Sequence, residues 1–257
     1  SAGLCNQLQS GSATVTVNPL PTANVTGTIT VCQNATAPAI TFTGAGTTAP
    51  YTFTYNINGG PNQTVVSVGN TATVTASTAV PGTFTYNLVS VQDASATTCS
   101  QAQTGSAIVT VSPSPTANIS GTNTVCLNAS SPNITFTGTA GTAPFTFTYT
   151  INGGPNQTVT SVGNTATVAV PTSIAGTFNY VLISVQDASA NLCSQSQTGN
   201  VTITVNPLPA AIISGAITVC KDAPAPNVTF TGSGGAAPYT FTYTINGGAN
   251  QTVVSSG

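Results

Sequence analysis

Apolar and polar residues alternate along this chain with a period of two. Tyr51, Phe53, Tyr55 and Ile57 take every second position with threonine and asparagine between them. Shorter runs do the same at Ile40 and Phe42, at Ala72 and Val74, at Phe84, Tyr86 and Leu88, and at Ala107, Val109 and Val111. Alternation of this kind predicts strands with one buried face. Threonine fills most of the outward positions, where its branched Cβ suits a pleated surface. No stretch carries the 3.6-residue period of a helix, so the chain is expected to be all-β. Asn58-Gly59 lies between the runs at Phe53 and Val65. Asn-Gly accepts the positive φ values of a tight turn and predicts that these runs pair antiparallel. After Leu88 the apolar set changes parity to Val89 and Val91, and Leu182 is likewise followed by Ile183 and Val185. Such a switch predicts a bulge or a strand buried on both faces.

The pattern itself recurs. Cys5, Cys99 and Cys193 are spaced by 94 residues, as are Cys32, Cys126 and Cys220, and Asn-Gly-Gly recurs at 58, 152 and 246 in the same register. Residues 18–111 and 112–205 are therefore two copies of one module. Residues 1–17 match 95–111 and belong to the C-terminal strand region of a preceding copy, while 206–257 match 18–69 and form the N-terminal part of another. Asn18-Pro19-Leu20-Pro21, Ser112-Pro113-Ser114-Pro115 and Asn206-Pro207-Leu208-Pro209 mark the seams. Two prolines in four residues favour short, stiff, extended joints. At roughly 3.3 Å per strand residue, each module is expected to be about 30–40 Å long.

Some seven short strands separated by Gly, Pro and Asn turns in fewer than 100 residues predict a two-sheet Greek-key sandwich of immunoglobulin-like type. The run from Pro81 to Asp93, followed by a cysteine and by Ala107 to Val111, resembles the second half of PKD-like and immunoglobulin-like repeats. Repeats of this kind fill very large surface proteins of Bacteroidota, including gliding-motility adhesins and products of type IX secretion. The resemblance implies an extracellular or cell-surface place on a bacterium. The Trp-Asp-Phe-Gly-Asp-Gly type of segment common in PKD domains is missing, with Tyr51 to Gly60 in its place, so no calcium or partner role tied to it is carried over.

Charge narrows the functions open to the chain. Lys221, Asp93, Asp187 and Asp222 are its only charged side chains, and it contains no His. Nucleic-acid binding requires several cations to displace counterions, which excludes that class. No apolar run approaches the roughly 20 residues that cross a bilayer. A surface this neutral lacks the repulsion that keeps proteins apart, so association into an oligomer or filament is expected. The sequons at Asn24, Asn34 and Asn62 are of the kind that arises by chance in so Thr-rich a chain, whereas O-linked sugars on the threonine faces would account for solubility.

The cysteines recur at fixed module positions without His or CxxC, which favours disulfides over zinc. Two connectivities are open: Cys32–Cys99 and Cys126–Cys193 within modules, or Cys5–Cys32, Cys99–Cys126 and Cys193–Cys220 across seams. Loop entropy differs by only about 0.5 kcal/mol between them. Cys99 follows the penultimate strand, so a whole strand runs before the next module begins, which favours the intramodule pairs.

Catalysis needs paired carboxylates or a nucleophile with a base, and each complete module offers one Asp. An enzyme is not expected, nor a cofactor. Asp93 and Asp187 are read as turn caps in preference to calcium ligands, which usually come with further carboxylates. The aromatic face of Tyr51, Phe53 and Tyr55 is read as core in preference to a sugar platform. The expected function is a non-catalytic shaft of a surface stalk, fibre or filament whose partners are further copies of the same repeat. The alternative is an adhesin module binding glycans or neighbouring cells, with affinity multiplied by copy number.

Overall fold

The computed structural model describes residues 3–256 of the chain, which divide into two compact units at Pro113 and Ser114. Every regular element among the described residues is a strand.

In the first unit, residues 3–21 form no strand. The nine strands that follow are β1 (Thr22–Thr26), β2 (Ile29–Cys32), β3 (Ala39–Ala45), β4 (Thr52–Ile57), β5 (Gln63–Val66), β6 (Thr71–Thr75), β7 (Gly82–Gln92), β8 (Ser100–Ala102) and β9 (Ser106–Ser112). One sheet has the order β1-β3-β6, and the other has the order β2-β9-β7-β4-β5 with β8 beside β7. All pairs are antiparallel except β2 with β9. This is an immunoglobulin-like Greek key. The core is shared by the two inner faces: Ile40 and Phe42 of β3, Phe53 and Tyr55 of β4, Tyr86, Leu88 and Val91 of β7, and Val109 of β9 are buried. Phe42 lies 5.7 Å from the Phe53 ring and 5.1 Å from that of Tyr55, which in turn lies 6.3 Å from Tyr86. Burying each such ring contributes about 1.5–3 kcal/mol.

The alternation predicted in the sequence decides which side chains these are. The parity switch after Leu88 is a bulge: Thr54 pairs with Ser90 and Tyr55 with Leu88, leaving Val89 without a partner on β4. The bulge lets Leu88 and Val91 both enter the core of an eleven-residue strand. Asn58 and Gly59 take φ values of 52° and 72°, as their turn requires, and Phe53 stands opposite Val65.

Nine strands form where about seven were expected. The additional ones are short and lie at sheet edges. Between β1 and β2 the chain leaves one sheet for the other at Gly27, whose φ of 120° and approach to the Ala39 carbonyl, 2.7 Å from where a Cβ would stand, require glycine.

The second unit carries a second sandwich: β10 (Thr116–Ser120), β11 (Asn123–Cys126), β12 (Asn133–Thr139), β13 (Thr146–Ile151), β14 (Gln157–Thr160), β15 (Thr165–Ala169), β16 (Gly176–Gln186), β17 (Ser194–Ser196) and β18 (Asn200–Asn206). Its sheets have the orders β10-β12-β15 and β11-β18-β16-β13-β14, with β17 beside β16, and β11 runs parallel to β18. Ile183 is skipped in the β13–β16 register as Val89 is in the first sandwich. Beyond it, β19 (Ala210–Ser214) pairs with β20 (Thr229–Ser233), and β21 (Thr240–Tyr243) with β22 (Gln251–Val254).

Candidate functional site

Each sandwich holds one buried carboxylate. Asp93 follows β7 and is 4 % exposed, and its Oδ1 accepts hydrogen bonds from the Ser95 hydroxyl at 2.7 Å and the Ser95 N–H at 3.2 Å. The Asp93 N–H donates to the Cys99 carbonyl at 3.0 Å, closing the loop from 93 to 99, and the Ala94 N–H donates to the Thr48 carbonyl. The side chain thus caps the turn after β7, and the backbone bond from Ala94 to Thr48 holds that loop against the loop between β3 and β4. Burial opposes ionisation. The two Ser95 donors, with the Thr47 hydroxyl and the Cys99 backbone in support, outweigh it and hold the carboxyl below the ordinary carboxylate range. Asp93 Oδ2 and Thr47 Oγ1 are nevertheless buried without a hydrogen bond of normal geometry, so the hydroxyl acts from slightly too far or at a poor angle.

In the second sandwich Asp187 makes the same cap on Ser189, at 2.7 and 3.2 Å, and its Oδ2 accepts from the Thr142 N–H at 3.1 Å. Both aspartates therefore sit where the turn-cap reading placed them. No cluster of three His, Cys, Asp or Glu side chains occurs among the described residues. The aromatic face read as core is core: Tyr51, Phe53 and Tyr55 are 1 %, 0 % and 4 % exposed.

The cysteines do not take the expected places. Cys32 ends β2 opposite Ser112, the last residue of β9. Cys99 lies past Gln92 at the other end of β7, because Gly82 at the start of β7 stands opposite Val111. The eleven residues of β7 put about 33 Å between the two levels, against the Cα separation of at most about 7 Å that a disulfide allows. Cys126 opposite Asn206 and Cys193 past Gln186 are placed in the same way. Cys5, Cys99, Cys126 and Cys220 carry free thiols, whereas Cys32 and Cys193 are disulfide-bonded. The pairs Cys32–Cys99 and Cys126–Cys193 are therefore not made. Topological reasoning placed Cys99 correctly and missed β2, the strand that carries Cys32 to the far end.

The seam residues are held to the sandwich they enter. Asn18 donates from Nδ2 to Thr97 Oγ1 at 2.8 Å, and the Gln103 side chain receives the Ala23 N–H and donates to the Pro21 carbonyl. Gln197 receives the Ala117 N–H at 3.0 Å in the second sandwich. A groove of about 410 Å³ lies between β19, β20 and β21, lined by Ile213, Phe230, Phe241 and Tyr243 among others. Phe230, Phe241 and Tyr243 are the counterparts of the core residues Phe42, Phe53 and Tyr55, which makes the groove a core face and not a ligand site.

No protein-family model matches the chain, and no curated protein matches it. Among solved structures, it is similar to the Ca²⁺-stabilised adhesin that helps an Antarctic bacterium reach out and bind ice, with 22 % identity and a TM-score of 0.45 over 93 % of this chain. The chain spans 64 % of that structure. The fibronectin(III)-like modules of Clostridium thermocellum CbhA align at 15 % identity and a TM-score of 0.32, covering 72 % of this chain and 95 % of theirs. The Yersinia pseudotuberculosis adhesin InvE aligns at 12 % and 0.28, covering 72 % and 58 %.

Proposed function

We propose that the chain is a stretch of a non-catalytic, extracellular array of β-sandwich repeats, with repeats at 18–111 and 112–205 and parts of repeats at 1–17 and 206–257, that forms the shaft of a bacterial surface stalk, fibre or filament. One observation carries this reading. The chain enters the first sandwich at β1, leaves it at the end of β9, and β2 runs parallel to β9, so entry and exit lie at opposite ends. Tension on the chain runs along the strands and meets the β2–β9 and β1–β3 hydrogen bonds in shear, where several must break together. The second sandwich has the same strand orders.

The chemistry available fits a shaft. The single carboxylate of each sandwich is committed to a turn, and the outer faces are threonine-rich and nearly uncharged. The likeness of Pro81 to Asp93 to PKD-like repeats supports a place in the large surface proteins of Bacteroidota exported by the type IX route. Further copies of the repeat are the natural partners, within the chain and, given the neutral surface, between chains.

The test applies the full chain, at concentrations where light scattering shows a monomer, to a glycan array. A shaft gives no saturable binding. Saturable binding to a defined glycan by the monomer would replace the shaft with the adhesin reading. Electron microscopy of the native assembly should show long appendages built of these repeats, and compact particles would contradict the proposal.

A further inference from the structure

One side of each sandwich is left bare. In the first, β5 is the outer strand of its sheet and pairs with β4 alone. The Ser67 N–H donates to the Tyr51 carbonyl at 2.8 Å, so ladder alternation turns the backbone N–H and C=O of Gln63 and Val65 toward β4 and those of Thr64 and Val66 toward the free edge. The same bond from Ser161 to Phe145 turns Thr158 and Thr160 of β14 outward, and that from Ser255 to Tyr239 does so for Thr252 and Val254 of β22. Along the edge Val66 is 59 % exposed and Val68 91 %, as is Val162, the counterpart of Val68. A groove of about 470 Å³, lined by Val65, Val66, Val68, Ala72 and Thr73 among others, runs between β5 and β6, the outer strand of the other sheet.

Exposed edges are normally blunted by a lysine, a proline, a bulge or a covering side chain. The strands β5, β14 and β22 read Gln-Thr-Val-Val, Gln-Thr-Val-Thr and Gln-Thr-Val-Val, pair in unbroken register, and hold none of the chain's four charged side chains. The sandwiches do cover another edge: the Ala23 N–H of β1 is taken by Gln103 Oε1, and the Ala117 N–H of β10 by Gln197 Oε1. Among the described residues, no side chain serves Thr64 or Val66 in this way.

We propose that this edge is a lateral interface between two copies of the chain, in which β5 or a counterpart pairs antiparallel with the same strand of a second copy and joins two sheets into one. This rests on the repeat array proposed above and names the surface through which neighbouring shafts associate. The strand is complementary to itself. Turned about a twofold axis through Val65, Thr64 exchanges both backbone hydrogen bonds with Val66 of the second copy, and Val66 does so with its Thr64, so every outward donor and acceptor is satisfied. Val65 then meets Val65 on the groove side, and Val66 meets Thr64 on the outer side, with no charge on either. That self-complementarity commits the edge to a second copy in preference to an unrelated strand.

A pair of four-residue strands is a small contact, well under the roughly 1,200 Å² of a stable interface, so association is weak and is read by sedimentation equilibrium of the full chain up to about millimolar concentration. Val66→Lys, Thr160→Lys and Val254→Lys together set like charges diagonally across every such pairing and should weaken it at least about tenfold. Thr26→Lys, Ser120→Lys and Ser214→Lys add the same charge at exposed sites of β1, β10 and β19 and should change it by about twofold or less. In the unmodified chain, amide exchange of the peptide spanning Gln63–Val66 should be slower in the associated state than in the monomer, a reading that needs no variant. A chain that stays monomeric throughout, equal weakening by the two triplets, or unchanged exchange at Gln63–Val66 overturns the interface. So does association untouched by the edge triplet, as contact through the open groove of β19 to β21 would give. Edge pairing in a chain whose monomer binds a glycan refutes the shaft and leaves the interface standing.

Discussion

Gly44→Ala sets two effects of opposite sign against each other inside β3. Alanine removes unfolded-state freedom and by that route stabilises by about 0.4–1 kcal/mol where the backbone accepts it. The backbone at Gly44 does accept it, since its φ is not in the left-handed region, but the space does not: the new Cβ would stand 2.5 Å from Cγ and Cδ2 of Tyr51 and 2.9 Å from Cε2. The ring cannot easily yield. Tyr51 is 1 % exposed, its hydroxyl donates to the Thr47 carbonyl at 2.7 Å, and its ring lies tilted at 31° with its centroid 6.2 Å from that of Phe53. Overpacking of this kind costs about 1–3 kcal/mol, so the net effect should be a loss of about 1–2 kcal/mol. Gly138 makes the same approach, 2.6 Å to Phe145, but Phe145 has no hydroxyl to anchor it and can tilt, so Gly138→Ala should cost less. Hydrogen exchange read by mass spectrometry on peptides covering β3 and β4, and β12 and β13, measures both losses in one chain. Tyr51→Ala alone should cost about 3–5 kcal/mol, and Gly44→Ala in that background should be neutral or stabilising. Additive losses in the double variant, or a larger loss at Gly138 than at Gly44, would refute the steric argument.

The depressed Asp93 pKa means that its contribution to stability is present in full above about pH 5 and is lost as pH falls through the ordinary carboxylate value near 4 toward the folded one. Asp93→Asn should therefore flatten the acid limb of a stability-against-pH curve for the first sandwich, and an unchanged limb would show that the carboxylate is not coupled to folding. Ser67 Oγ accepts the Tyr51 N–H at 2.6 Å and donates to the Gly69 carbonyl at 2.7 Å in a buried site, so Ser67→Ala should cost about 1–3 kcal/mol in urea titrations. Deleting Val89 removes the bulge and moves either Leu88 or Val91 out of the core; loss of the first sandwich's cooperative unfolding is the expected result, and a native-like transition would mean that the bulge is dispensable.

How much of this was legible in the sequence follows from how local each signal is. Tyr51 to Ile57 declare β4 by their own alternation, Asn58-Gly59 declares the following turn, and the shift from Leu88 to Val89 and Val91 declares the bulge, because each depends on residues within a few positions of each other. β2 is different. Ile29 to Cys32 are four residues, exposed or half-buried, whose strand state comes from pairing with Val109 to Ser112, some 80 positions away. Nothing local announces that the chain changes sheets at Gly27, so the end of the sandwich to which Cys32 belongs could not be read, and the intramodule disulfides fell with it. The aspartate caps were legible because Asp93 and Ser95 are neighbours in sequence, whereas the contact of their loop with Thr47 and Thr48 was not.

The same long-range pair determines how the shaft should bear load. Tension entering at β1 and leaving at Ser112 pulls β2 and β9 in opposite directions along their common axis, so their hydrogen bonds share the force instead of opening one at a time. Gln33 N–H donates to the Ser112 carbonyl at 2.8 Å, and ladder alternation assigns the next donor to Val31. Val31→Pro removes that donor from a four-residue strand at a cost of roughly 1–3 kcal/mol. A turn variant such as Gly69→Ala, whose φ of 61° opposes a side chain but whose loop lies outside the load path, serves as the comparison. In single-molecule stretching of the reduced chain, Val31→Pro should lower the unfolding force of one sandwich sharply, while Gly69→Ala should lower thermal stability with little effect on force. If both lower force only in proportion to their stability loss, the β2–β9 pair is not where the sandwich resists tension, and the observation supporting a shaft loses its mechanical meaning.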